Sequence, residues 1–230
     1  MKIGIICAGD RELKPFLTDI AETSVVEKAM LKFHIGTVGD KEVVALFCGV
    51  GKVNAALATQ ILIDTFNVDK VINAGTAGGI APELKIFDTV VSTEVAYHDV
   101  EEGILTDFHP WFDSVWLKAD ENLLETARIA VKAANELSSN GKIHFGRMVT
   151  GESFISDDGR DEIVNKFNPL SVDMETGSIA HVCYVNNIPF IAVRSITDTK
   201  EHSGSDVFEL NCIECSKLAK DITLSLLQNL

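Results

Sequence analysis

Val68-Asp69-Lys70-Val71-Ile72-Asn73 runs directly into Ala74-Gly75-Thr76-Ala77-Gly78-Gly79. The first half is a short apolar run suited to a buried strand. In the second, glycines allow close backbone approach and positive φ, and the N–H groups can face a ligand. In open α/β sheets the ligand usually sits at the carboxyl ends of strands. This junction therefore predicts both a fold class and a place to look for chemistry.

The same grammar repeats outward in both directions. Lys2 to Cys7 is an apolar run that ends at Ala8-Gly9, and residues 10–21 carry helical spacing at Leu13, Phe16, Leu17 and Ile20, with Pro15 near the first turn. Phe33 to Gly36 and Glu42 to Phe47 read as a hairpin around Gly39-Asp40-Lys41. Gly49-Val50-Gly51-Lys52 opens a helix whose apolar face is expected at Val53, Ala56, Leu57, Ile61 and Leu62. Further strands are expected at Phe87–Val95, Lys142–Thr150, Leu170–Val172 and Pro189–Val193, with a turn at 138–141. A long helix is expected from about Glu121 to Leu137, and a closing helix from about Asp206. No linker or repeat interrupts the order. The expectation is one α/β domain over residues 1–230, with a mostly parallel or mixed central sheet flanked by helices.

Composition narrows the function classes. Among 230 residues, 20 Lys and Arg against 34 Asp and Glu leave a net charge of −14, which disfavours nucleic acid or an anionic membrane as partner. No run approaches the roughly 18 apolar residues of a membrane span. The apolar stretch at Met1–Cys7 is too short for a signal-peptide core. Five cysteines, an odd number, three of them inside apolar runs, read as reduced and mostly buried thiols of a cytoplasmic protein. Cys212 and Cys215 have the spacing of a redox or metal pair, but they lie in a helical stretch with no second pair.

Four segments place small or polar residues after a buried strand: Ala8–Glu12, Gly75–Gly79, Asp173–Glu175 and Ser195–Asp198. Each alone reads as a turn or helix cap. Together they bring Glu12, Glu175 and Asp198 to one end of the sheet. The Gly-x-Gly-x-x-Gly dinucleotide spacing, a P-loop, a Gly-x-Ser-x-Gly elbow and a His/Cys metal cluster are all missing from the sequence. His181 reads as a core residue on an apolar helix, whereas His98 in Tyr97-His98-Asp99 stays ambiguous. Carboxylates without a metal suit acid–base chemistry on an uncharged organic substrate.

The ordered set of segments resembles the nucleoside phosphorylase/hydrolase superfamily, most closely the bacterial 5′-methylthioadenosine/S-adenosylhomocysteine nucleosidases. It comprises Lys2–Ile6 with Glu12, Gly49–Val53, Gly75–Pro82, Tyr97–Asp99, Gly151–Ile155, Val172–Glu175, Ile179–Cys183 and Val193–Asp198, nearly the whole chain. The resemblance implies hydrolysis of an N-glycosidic bond to adenine and a 5-substituted ribose. It also implies a homodimer that uses no metal or cofactor and completes its 5′ pocket with a neighbour's loop. Glu12 matches the position that activates water, and Asp198 the one that protonates or hydrogen-bonds N7 of the leaving adenine. Glu175 matches the carboxylate on the ribose hydroxyls, with Met174 beneath the sugar. Thr76 stands where the family usually has Ser. Phe154 matches the purine-stacking position, Ile155 and Gly78 line base and sugar, and Phe208 fits over the 5′ group. Val50 and Thr197 complete the expected substrate-binding set.

Cleaving the ribosyl C1′–N9 bond puts positive charge on the sugar and negative charge on the base. A carboxylate beside the sugar and a proton donor at N7 answer those charges. Asp198 is therefore expected to have a pKa raised by burial, and Glu12 to be ionised.

The chain departs from the family around the 5′ substituent. Gly9 stands where a Met is usual, Arg11 adds a cation, and residues 100–112 do not align. Trp111 and Phe112 read equally as a partner-supplied lid or as interface aromatics. Three alternatives stay open at this point: a purine nucleoside phosphorylase, a binding module without turnover, and a nucleosidase for another 5′-substituted adenosine such as aminodeoxyfutalosine.

Overall fold

A computed structural model describes residues 1–109, 111–135, 141–156 and 159–230. Its strands are β1 (Lys2–Cys7), β2 (Ala21–Lys28), β3 (Leu31–Val38), β4 (Lys41–Phe47), β5 (Lys70–Gly79), β6 (Thr89–Tyr97), β7 (Leu117–Lys118), β8 (Ile143–Thr150), β9 (Ser171–Asp173) and β10 (Phe190–Asp198). The helices are α1 (Asp10–Leu17), α2 (Lys52–Phe66), α3 (Glu102–Phe108), α4 (Glu121–Asn135), α5 (Arg160–Phe167), α6 (Thr176–Val185) and α7 (Ser205–Gln228).

All the strands join one sheet, ordered β10-β6-β8-β9-β5-β1-β4-β3-β2, with β7 on β6. β5 also pairs with β10, so β5, β10, β6, β8 and β9 close into a ring and β1, β4, β3 and β2 extend from it. Among the described residues, five pairings are parallel and five antiparallel, so the sheet is mixed, within the expected class.

β5 and β10 are buried on both faces, which is why they read as apolar runs. Val71 and Ala192 point into a core shared with Ala55, Ala58, Leu62 and Phe66 of α2 and Ile179 and Cys183 of α6. Ile72 and Val193 point the other way, against Leu13 and Phe16 of α1, Leu123 and Ala127 of α4, and Leu226 and Leu227 of α7. The sheet is thus covered by helices on both sides, and the ends of β1, β5, β9 and β10 are left to build a site.

Several boundaries differ from expectation. The glycine run 75–79 continues β5 rather than forming a loop, because Gly75 to Gly78 keep pairing with β10 and Gly78–Gly79 pair with β9. Ser195–Asp198 likewise belong to β10, because pairing with β5 continues as far as Asp198. α1 stops at Leu17, two residues past Pro15, and the chain then enters β2, which the sequence reading passed over. Every residue of β2 is exposed, so it carries no buried face to betray it; it is a charged edge strand. On α2 the expected apolar face is only partly buried: Leu62 is, while Val53 is 78% and Leu57 47% exposed. The expected end of α4 at 136–137 and the expected turn at 138–140 lie outside the described residues. Among the described residues no helix is long and apolar enough to cross a membrane. All five cysteines are buried and free, Cys212 and Cys215 among them.

Candidate active site

β1 ends at Cys7, and α1 starts at once with Gly9 as its N-cap. Glu12, at the third helical position, turns back so that its Oε2 accepts from the N–H groups of Ala8 (2.7 Å) and Gly9 (3.0 Å). This is the reaching-back half of a capping box. The other oxygen serves the neighbouring strand: Oε1 accepts from the Thr76 N–H and the Thr76 hydroxyl, each at 2.7 Å. Four donors on one buried carboxylate fix its position and use it purely as an acceptor. Gly75 makes this possible. A Cβ there would stand 2.5 Å from Glu12 Oε1 and 2.8 Å from Arg194 Nη1, so no larger residue fits.

Arg194, on β10, is buried between carboxylates. Its Nη2 donates to Glu175 Oε2 (2.7 Å) and its Nε to Asp173 Oδ2 (3.2 Å). Burial works against its charge, but Asp173, Glu175 and Glu12 together hold its pKa above the usual value. Glu175 caps α6 and also accepts from the Gly51 N–H at 2.9 Å. Gly51 adopts φ 100°, where an L side chain is strained, and a Cβ would also strike Glu152. Burial is the main force on Glu175, and the like charges of Asp173 and Glu12 add to it. Its pKa is pushed up to about 7 despite the opposing Arg194 and Gly51 contacts. Asp173 anchors the turn, accepting from the N–H groups of Glu175 (3.1 Å) and Thr176 (3.0 Å) and from the Thr150 hydroxyl (2.7 Å).

Asp198 enters through a β-bulge. Ile196 pairs with Ala77 and Asp198 with Gly78, so Thr197 is the extra residue. Bulges of this kind re-aim side chains beside functional sites. The Asp198 Oδ1 lies 2.9 Å from the Thr197 hydroxyl, while its buried Oδ2 has no hydrogen-bond partner among the described residues. The space beside Oδ2 is kept by Gly78, whose added Cβ would sit 3.4 Å away. Burial raises the Asp198 pKa, against smaller opposing effects of Thr197 and Arg160.

These groups line one cavity of about 440 Å³. Glu12, Val50, Thr76, Gly78, Phe154, Met174, Glu175, Thr197, Asp198 and Phe208 all face it, as do Arg11, Asp173 and Arg194. Ten of the eleven residues singled out from the sequence are therefore brought together. Ile155 is the exception: it packs on the Ile80, Val149, Ile163 and Phe167 cluster beside the cavity instead of lining it. Phe154 and Phe208 meet edge-to-face, centroids 6.3 Å apart, forming an aromatic rim. The sequence reading did not select Asp173 or Arg194 for the site; their proximity to Glu175 in the motif and to Asp198 along the strand was the available signal. His98 stays outside the cavity with its Nε2 buried and unpartnered among the described residues, and burial lowers its pKa. His181 packs against Phe112 in an aromatic cluster but is only half-buried and lines a separate groove with Trp111 and Tyr184, so it is not the core residue expected.

A family model described as the phosphorylase superfamily matches residues 2–228. The 5′-methylthioadenosine/S-adenosylhomocysteine nucleosidase of Exiguobacterium sp. is 35% identical, covering 99% of this chain and 100% of its own. The chain belongs to this superfamily and, within it, to the 5′-methylthioadenosine/S-adenosylhomocysteine nucleosidases. The nucleosidase structure from Colwellia psychrerythraea, solved in complex with adenine, superposes with a TM-score of 0.90 at 33% identity, covering 100% of this chain and 96% of that one. The futalosine hydrolase of Helicobacter pylori gives 0.89 at 26% identity, covering 100% and 98%.

Proposed function

We propose that the chain hydrolyses the N-glycosidic bond of 5′-methylthioadenosine and S-adenosylhomocysteine, releasing adenine and the 5-thioribose. The observation that carries this reading is the pairing of two carboxyl groups in opposite surroundings within one cavity. Glu12 is ringed by four donors, and Asp198 is desolvated with one oxygen free. Two such groups make a general base and a general acid.

Glu12 takes a proton from water, which attacks C1′ as the bond to N9 breaks. Asp198 donates from Oδ2 to N7, so the departing adenine leaves neutral. Glu175 holds the ribose hydroxyls and steadies the cationic ring, with Arg194 and Gly51 fixing its position. Met174 lies under the sugar, Phe154 stacks on the base, and Phe208 covers the 5′ group. Thr197 orients Asp198 through its hydroxyl, and Thr76 does the same for Glu12.

Water is favoured over phosphate as nucleophile by the charge of the walls. The cationic side chains facing the cavity, Arg11 and Arg194, are each matched by carboxylates, and Lys52 nearby is held by Asp99 at 2.8 Å. A phosphate anion beside the sugar would meet the carboxyl groups of Glu12 and Glu175. The test is adenine release from 5′-methylthioadenosine, S-adenosylhomocysteine, 5′-deoxyadenosine and adenosine, each with and without phosphate. Release that ignores phosphate and favours the 5′-thio nucleosides supports hydrolysis; release only with phosphate contradicts it.

The reading includes a homodimer and a cytoplasmic location, the latter on the strength of five buried thiols. The dimer face is assigned to α2 and α6, where Val53, Leu57, Tyr184 and Val185 expose apolar surface, continued by Val50 at the cavity edge just before α2. Trp111 lies on the same side: the Tyr184 hydroxyl donates to its carbonyl at 2.8 Å. Phe112 is buried against Tyr184 and His181 of its own chain, so Trp111, 53% exposed, is the aromatic offered to a neighbour.

A further inference from the structure

At the mouth of the cavity α1 meets α7. Arg11 lines the cavity one residue before Glu12, and its guanidinium forks onto the Glu209 carboxylate, Nη2 to Oε1 at 2.7 Å and Nη1 to Oε2. Phe208, beside Glu209, forms the wall beneath, with the Arg11 guanidinium carbon 5.9 Å from its ring centroid. At Gly9, which lines the same cavity two residues before Arg11, the wall is open, since a Cβ there would meet nothing within 4 Å. Asp10, the other charged residue at this rim, is already taken by Lys14 at 2.7 Å.

An ion pair this exposed contributes little to folding. Its chemistry suits a ligand better. The guanidinium has five N–H donors and the carboxylate about four acceptor sites, and their mutual contact uses two of each. Each partner keeps capacity for a further charged group without breaking the pair.

We propose that Arg11 and Glu209 are specificity-determining residues for the 5′ substituent, together receiving a zwitterionic α-amino-acid tail, its carboxylate on Arg11 and its ammonium on Glu209. The proposal rests on the nucleosidase reading and extends it, ranking S-adenosylhomocysteine above 5′-methylthioadenosine for this chain. The pair has no net charge, so it discriminates by arrangement. A tail with only a carboxylate gains Arg11 but is repelled by Glu209, a tail with only an ammonium meets the reverse, and a methyl group gains neither. A planar guanidinium is also the side chain best matched to a carboxylate. Gly9 leaves room for the longer tail.

The experiment is a comparison of kcat and KM for S-adenosylhomocysteine, its des-amino analogue bearing the carboxylate alone, and 5′-methylthioadenosine, in the wild type, Arg11→Gln and Glu209→Gln. Each variant is expected to lower the kcat/KM ratio of S-adenosylhomocysteine to 5′-methylthioadenosine about tenfold, through KM, since charge-assisted contacts are lost from one substrate only. Glu209→Gln is expected to narrow the gap between the homocysteine tail and the des-amino tail. Equal losses on all three nucleosides, a loss carried by kcat, or an unchanged ratio would each overturn the proposal and leave the pair as a tie between α1 and α7. Adenine release from 5′-methylthioadenosine by the wild type reports the nucleosidase reading separately. Were it missing, equilibrium binding of the same nucleosides to the same three proteins would still decide the pair.

Discussion

Thr76 donates to Glu12 Oε1 twice, through its backbone N–H and through its hydroxyl, each at 2.7 Å. The backbone contact does not depend on the side chain of any residue but proline, so the hydroxyl can be tested alone. Thr76→Val keeps the shape and removes one donor, at a cost of about 1 kcal/mol in stability. It is expected to lower kcat about tenfold, because Glu12 loses its alignment, while Thr76→Ser keeps most of the rate. Steady-state adenine release checks both.

Glu12→Gln and Asp198→Asn are each expected to reduce kcat by about 10²–10⁴ with little change in thermal unfolding. More than about a tenth of the wild-type rate in either variant would remove that residue from its role.

Asp198 marks the pH dependence of activity. Burial raises the Asp198 pKa, so its proton is kept to a higher pH than an exposed carboxyl would keep it. The rate is expected to fall on the alkaline side as that proton leaves, and Asp198→Asn to abolish this limb of the profile.

Glu175 makes a separate mark on stability. Its folded pKa is raised to about 7 from 4.5, so the folded state binds the extra proton. The stability this contributes is full below pH 4.5 and is lost as pH rises through about 7. Denaturant unfolding across that window should show the decline, and Glu175→Gln should flatten it while weakening substrate binding and lowering the rate.

The exposed face of α2 predicts association. Val53→Glu and Leu57→Glu place charge where apolar surface is offered, and both side chains are outside the core. Sedimentation is expected to show the wild type as a dimer and these variants shifted to monomer. An unchanged dimer would move the interface elsewhere.

Much of this was legible in the sequence because it is local. β1, β5 and β10 are apolar runs buried on both faces, and the carboxylates that follow or end them stand out for their position. β2 was illegible since none of its residues is buried, and the closing of β5 onto β9 and β10 depends on pairings distant in the chain. α2 carries apolar residues on two faces, one for the core and one for solvent, and periodicity alone merged them. Arg194 looks like any strand arginine until Asp173 and Glu175 are seen around it. Arg11 and Glu209 lie 198 residues apart, so their meeting exists only in the fold.

The most direct test of the account is the identity of the sugar product when 5′-methylthioadenosine is cleaved with phosphate in excess. Glu12 acting on water predicts free 5-methylthioribose at a rate that phosphate does not change. A ribosyl 1-phosphate product would contradict it.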